Sequence, residues 1–538
     1  MRTRLFLEGT VFCGDTIAPE GLEGPQLSYH FTIRVIHEGG FYMKIGKRIL
    51  STGLIFTLIA ALLSSCASSG TAKLTIDPTV RHQTLQSFGV SSAWWSQDVG
   101  GWTEKDANGV PVREAIMELL YGKTGLGLQV YRYNLGAGTG TGEKAGDFND
   151  PWRSGQSFIN DEGEIDYTLD ANALWCMNRA LELGAKEVVF FCNSAPDSMT
   201  INGKPHSDKQ KKKVTNLAPE NNQAFADYVL DAVEHFRRQG VPITTVSPIN
   251  EPQWTWQGGQ EGCHFEPDEM VALYKVFYAE MEKRGLAGDI TLGMFESGQW
   301  GGSKFKKWFE AIMEDETLSK VITTIEGHSY NSSASEKART ARWLDKNYPN
   351  LKRSCTEWTE MEDLGRDVGM DSAVVMADMI CTDLTVLDAV HWSYWLGVSC
   401  YDWRDGLLYV DLDEHTYTVT KRLYEYGNFT KFIKPGAVRV ETELRGKALN
   451  AVSFDVDGKL VTVVVNSADE EKTLALNAKG YQTAEIHLTD GTHDLEQVPI
   501  ESYVSGGQAK LPAKSVMTLV MNPTSYEAVP SMPGGDAI

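Results

Sequence analysis

The apolar positions of this chain fall into two rhythms that change near residue 436. From Leu85 to Tyr394, short apolar runs alternate with longer stretches in which apolar residues recur every three or four positions. The short runs are 85–90, 130–135, 188–193, 245–250, 290–295, 324–328, 352–357 and 389–394, and each reads as a buried strand. Between them lie "REAIMELLYG", "ANALWCMNRALELG", "NNQAFADYVLDAVEHFRRQG" and "PDEMVALYKVFYAEMEKRG", helical patterns closed by the Gly expected just past a helix C-terminus. Eight strand-then-helix units with mostly apolar strands predict an α/β fold, a closed (β/α)8 TIM barrel over 85–435. In such a barrel, chemistry sits where strands end.

After Gly436 the rhythm shortens to strict alternation, as in "AVRVETEL", "LNAVSFDV", "KLVTVVVNSA" and "SVMTLVMN", broken by Asp-Gly, Lys-Gly and Gly-Gly turns. This predicts a C-terminal side β-sandwich over 436–522, with a flexible tail at 523–538. Residues 67–84 read as a linker followed by a strand, "AKLTIDPTVRHQ", that joins the sandwich. The loop 136–166 is rich in Gly, Asp and Asn and is placed at the rim of a cleft. Its "GAGTGTGEK" fits neither phosphate-binding glycine pattern, so no nucleotide site is expected.

The N-terminus changes the picture of location. From Met43 the chain reads "MKIGKRILSTGLIFTLIAALLSSC", a basic start, an apolar run of fifteen residues from Ile49 to Leu63, and small residues before Cys66. Fifteen residues are short for a membrane span. The ending resembles a bacterial lipoprotein signal over 43–66, with Cys66 as the lipid anchor and residues 1–42 as a mis-called leader. An exported lipoprotein of the outer membrane is expected, on its periplasmic face or at the cell surface. The net charge of -22 repels nucleic acid and anionic lipid, which leaves a neutral partner and restricts membrane contact to the anchor. No oligomer is foreseen. The eight cysteines form no C-x-x-C pair or His/Cys cluster with metal spacing, so neither a structural metal nor a cofactor is predicted, and Cys176, Cys192, Cys263, Cys355, Cys381 and Cys400 read as free thiols.

Four strand ends carry the candidate chemistry: "PINEP" with Asn250 and Glu251, "IEGHSY" with His328 and Tyr330, "RSCTEW" with Glu357, and "AVHWSYW" with Trp392 and Trp395. Glu251 and Glu357 end the fourth and seventh strands, nearly opposite in an eight-strand barrel, so both point into one mouth. Glycosidic cleavage needs such a pair, an acid at the leaving oxygen and a carboxylate about 5 to 5.5 Å away when the latter acts as nucleophile. Glu296, Glu326 and Glu360 also lie near strand ends and are rival carboxylates, while Glu261 and His264 either touch substrate or brace their loop.

On these motifs, residues 74–522 resemble the retaining glycoside hydrolases of clan A, and the barrel with a side sandwich is similar to glycoside hydrolase family 30. The resemblance implies Glu251 as acid/base and Glu357 as nucleophile. It further implies Asn250 at the sugar 2-hydroxyl, Arg132 of "VYRYNLGAG" and Tyr330 beside the nucleophile, and Trp395 with Trp392 as the floor of the cleaved subsite. Trp95 and Trp254 are added as substrate contacts, and His328 as a contact or a hydrogen-bonded wall. The segments "FGVSSAWWSQD", "NSAPDSMTINGK" and "NEPQWTWQGGQEGC" look most like the endo-β-1,6-galactanase branch, which implies a plant arabinogalactan substrate. An exo-acting β-glycosidase of the same family (β-glucosidase, β-xylosidase or β-fucosidase type), a glucuronoxylanase and a non-cleaving glycan-binding lipoprotein stand as alternatives.

Overall fold

The computed structural model describes residues 4–9, 31–36, 72–138, 151–207, 215–361 and 364–524. Residues 4–9 and 31–36 form an antiparallel strand pair in a unit of their own. The lipoprotein-signal reading, Cys66 and most of the tail lie outside the described residues. Among the described residues, no helix is long and apolar enough to cross a membrane.

The eight barrel strands are Ser87–Ser91, Val130–Asn134, Glu187–Phe191, Ile243–Ser247, Thr291–Leu292, Thr324–His328, Lys352–Glu357 and His391–Ser399. The first to fifth pair in parallel in chain order, as do the sixth to eighth, and the eighth pairs back with the first. The short fifth strand closes the ring through Glu326 N–H to the Met294 carbonyl at 2.8 Å and a bridge between Ser297 and Gly327. Local signals start the helices behind the fourth and sixth strands. Glu266 and Glu269 form a capping box ahead of Pro267–Lys283, with Pro at its first position, and Ser333 and Glu336 do the same for Ala334–Asn347. Beyond the eighth strand, Gly406–Asp411 and Thr416–Val419 add a hairpin that the sequence pattern did not reveal.

The second sheet is one path of ten strands. Side chains from distant parts of that path, Leu474 and Leu511, share one buried cluster with Ile486, Leu488 and Met517, so the sheet folds over on itself as a sandwich. Its long strand Ala72–Thr84 leads directly into the barrel. Helix Met370–Val386, buried on more than one side, packs between barrel and sandwich, where Asn450 donates to Asp378 at 2.9 Å. Asn428 ties the last barrel helix to the sandwich, accepting from Thr489 Oγ1 at 2.6 Å and Thr518 Oγ1 at 2.8 Å. The site therefore sits on a frame held from outside as well as from within.

Candidate active site

The C-terminal mouth of the barrel opens as a cleft of about 960 Å³ whose lining includes Asn250, Glu251, Trp254, Tyr330, Glu357 and Trp395. Inward direction follows from the period of two along each strand. On the sixth strand, Glu326 and His328 share the inner face, with Tyr330 following just past the strand's end, and on the second Arg132 faces inward. Glu357 departs from this rule. Cys355 pairs with Gly327 and Glu357 with His328, so Thr356 is the extra residue of a bulge. Strict alternation after Ser354 and Thr356 would point Glu357 outward; the bulge turns it into the cleft.

The carboxylates are held by a buried charge network. Arg132 donates through Nη1 to Glu357 Oε2 at 3.0 Å and through Nη2 to Asn250 Oδ1 at 3.3 Å, and lies 3.5 Å from Glu296 Oε1. Its guanidinium covers the Phe191 ring at 3.6 Å, which excludes water from one side. Tyr330 O–H donates to Glu357 Oε1 at 3.1 Å. His328 is wholly buried, with Nδ1 2.7 Å from Glu251 Oε1 and 3.4 Å from Glu357 Oε1, and Nε2 3.1 Å from Glu296 Oε2. It is thus a wall between the two candidate catalytic carboxyls.

Burial disfavours the imidazolium, but Glu357, Glu251 and Glu296 outweigh it and hold His328 up at about 10. Burial likewise raises Glu296, yet Arg132, His328 and the Thr356 hydroxyl bring it down to about 2. Glu357 is raised by burial, with His328 and Arg132 working against that rise. Burial, and then the neighbouring Glu296, raise Glu326 well above the usual carboxylate value.

One donor atom each of Glu251, His328 and Glu357 lies within 4.8 Å of the others, a spacing that also suits a metal ion. The donor set does not suit one. Both ring nitrogens of His328 face carboxylates, and as an imidazolium it presents two N–H donors and no lone pair.

The remaining predicted residues separate clearly. Trp395 and Trp254 line the cleft, Trp254 with Lys304 Nζ 3.9 Å over its ring. Trp392 does not. It is out of phase with His391, Ser393 and Trp395, points toward the helices, donates from its indole to Asp383 at 3.0 Å and is fully buried. Trp95 is also corrected: fully buried, it donates to the Ser91 carbonyl at 3.0 Å, whereas its neighbour Trp94 packs edge-to-face on Trp395 at 5.3 Å.

Among the rival carboxylates, Glu296 is the buried hub beneath Arg132 and His328, and Glu326 bonds Ser247 above a polar cavity at the opposite end of the barrel. Glu360 lines the cleft but is paired with Arg404 at 3.0 Å. Glu261 accepts the N–H groups of Ala137 and Gly155 at 3.0 and 2.6 Å, and His264 bonds the Trp254 carbonyl at 2.9 Å, so both brace loops. All six described cysteines are free.

Known proteins place this geometry in a family. The model of O-glycosyl hydrolase family 30 matches residues 71–409, and that of the family's β-sandwich domain matches 436–519. The chain is 23% identical to an endo-beta-1,6-galactanase of Hypocrea rufa over 80% of this chain and 88% of that protein. It is 25% identical to the glucuronoxylanase XynC of Bacillus subtilis over 56% of this chain and 66% of that protein. A conserved exported protein from Bacteroides fragilis has the same fold, with a TM-score of 0.72 at 23% identity, covering 83% of this chain and all of that one. With more than half of its length matched by the family model and its sandwich by the companion model, the chain belongs to glycoside hydrolase family 30.

Proposed function

We propose that the protein is a retaining, endo-acting β-1,6-galactanase that works by double displacement. The observation that carries the mechanism is the separation of the two carboxyls, with one oxygen of Glu251 and one of Glu357 within 4.8 Å in a single cleft. An inverting pair would stand about 6.5–9.5 Å apart to admit a water between them. Glu357, accepting from Arg132 and Tyr330, attacks the anomeric carbon as Glu251 gives its proton to the leaving oxygen. Glu251 then takes a proton from the water that releases the sugar. His328 Nδ1, 2.7 Å from Glu251 Oε1, holds that carboxyl beside the nucleophile, while Arg132 and Tyr330 hold Glu357. Asn250 gives its carbonyl oxygen to Arg132, which leaves its amide nitrogen as the donor to a sugar hydroxyl.

A neutral galactan is favoured by the similarity to the galactanase over most of both chains and by the charge of the molecule. The glucuronate reading is weakened because Arg404, the cation of the eighth loop, is already paired with Glu360. The leader reading would place this activity outside the cytoplasm, tethered through Cys66. Digestion of purified β-1,6-galactan is expected to release a ladder of oligosaccharides, read by chromatography, with β-1,3-galactan and xylan left intact. Monomer or dimer appearing alone from the start would instead mark an exo-acting enzyme, and release from xylan only would overturn the substrate.

A further inference from the structure

Glu251 sits with φ at +45°, in the left-handed region. A side chain with a Cβ is strained there, so the conformation persists only if neighbours enforce it. The fourth-strand loop supplies the restraint. Glu251 N–H donates to the Glu296 carbonyl at 2.9 Å, and the Glu251 carbonyl accepts both the Trp254 backbone N–H at 3.2 Å and the Trp256 indole N–H at 3.1 Å. The indole bond is the side-chain restraint on that carbonyl, and it closes across five residues.

Trp256 is itself fixed. Its own carbonyl accepts from Ser207 N–H at 2.8 Å, and Gly262 lies flush against the ring, where a Cβ would stand 2.4 Å from Cγ and Cδ2. The ring lines the cleft, but its polar handle is used on the backbone of Glu251 and is unavailable to a sugar hydroxyl. We infer that Trp256 is a positioning residue, whose indole N–H locks the backbone of Glu251 so that its carboxyl meets the leaving oxygen. The inference rests on the reading of Glu251 as acid/base.

Trp256→Phe keeps the ring against Gly262 and removes the N–H. The probes are aryl β-glycosides of β-1,6-galactobiose bearing 2,4-dinitrophenol, 4-nitrophenol or phenol. Phenol needs a proton to leave and dinitrophenol does not. Loss of a hydrogen bond worth about 1–1.5 kcal/mol lowers kcat/KM about fivefold to tenfold for the phenyl glycoside and less than about twofold for the dinitrophenyl one. Gly262→Ala, which displaces the indole, is expected to give the same slope. An equal drop across the series would make Trp256 a sugar platform only, and no drop would dismiss the lock; either overturns the inference.

Glu251→Gln is the benchmark. If it responds equally across the series, the acid/base assignment fails, which a flat response of Trp256→Phe alone does not imply. A crystal structure of Trp256→Phe tests the lock without any substrate: Glu251 is expected to leave the left-handed region or to lengthen its bond to His328, and an unchanged backbone would contradict the inference.

Discussion

Glu357→Ala is expected to lower turnover by about 10⁴-fold or more while leaving the fold intact, because removing a nucleophile that nothing nearby can replace deletes the covalent route. Azide at tens of millimolar should restore part of the rate on an activated aryl glycoside and give the α-glycosyl azide, since a small anion enters the space the carboxylate leaves. The neighbours explain why no other residue takes over. Glu296 is wholly buried under Arg132 and His328, and Glu360 is held by Arg404. A variant that keeps its rate would remove the assignment.

Arg132→Leu is expected to damage both stability and rate. The guanidinium is one of two cations facing Glu296 and Glu357, and deleting it leaves carboxylates buried with an incomplete partner set at a cost of about 3–5 kcal/mol. Denaturant titration checks this, and Arg132→Lys should recover part of it, because the charge returns without the planar fork that reaches Glu357 and Asn250 together. The rate is expected to fall about 100-fold or more through misplacement of the nucleophile. The pH profile carries the sign. Arg132 opposes the upward shift of Glu357, so without it the carboxylate takes up its proton at higher pH and the acid limb of kcat/KM moves upward. A limb that stays in place would show that Arg132 does not act on the nucleophile.

Much of this site was legible in the chain because strand ends are marked by simple patterns. "PINEP" and "RSCTEW" end apolar runs with a carboxylate, and eight such runs imply a barrel that brings opposite strands to one mouth. The parity of "AVHWSYW" could also have separated the two tryptophans: positions 391, 393 and 395 share a face, and Trp392 belongs to the other. Parity fails at Glu357. The bulge that turns it inward depends on pairing with the sixth strand, which no local pattern of the seventh strand encodes. Nor does adjacency in "SAWWSQ" decide between Trp94 and Trp95, because the chain has left the regular strand there. Glu296 was visible only as one more carboxylate near a strand end. Its place as the hub of Arg132 and His328 arises from three strands meeting, and so from the closed barrel rather than from any one segment.

The pairing of Glu251 with Glu357 across one sugar is tested most directly by following the anomeric proton signals of the first product released by the wild-type enzyme from β-1,6-galactan, before mutarotation mixes them. The β-anomer appearing first is the predicted result, since two inversions restore the starting configuration. The α-anomer appearing first would mean a single displacement by water, which the close approach of these two carboxyls does not allow.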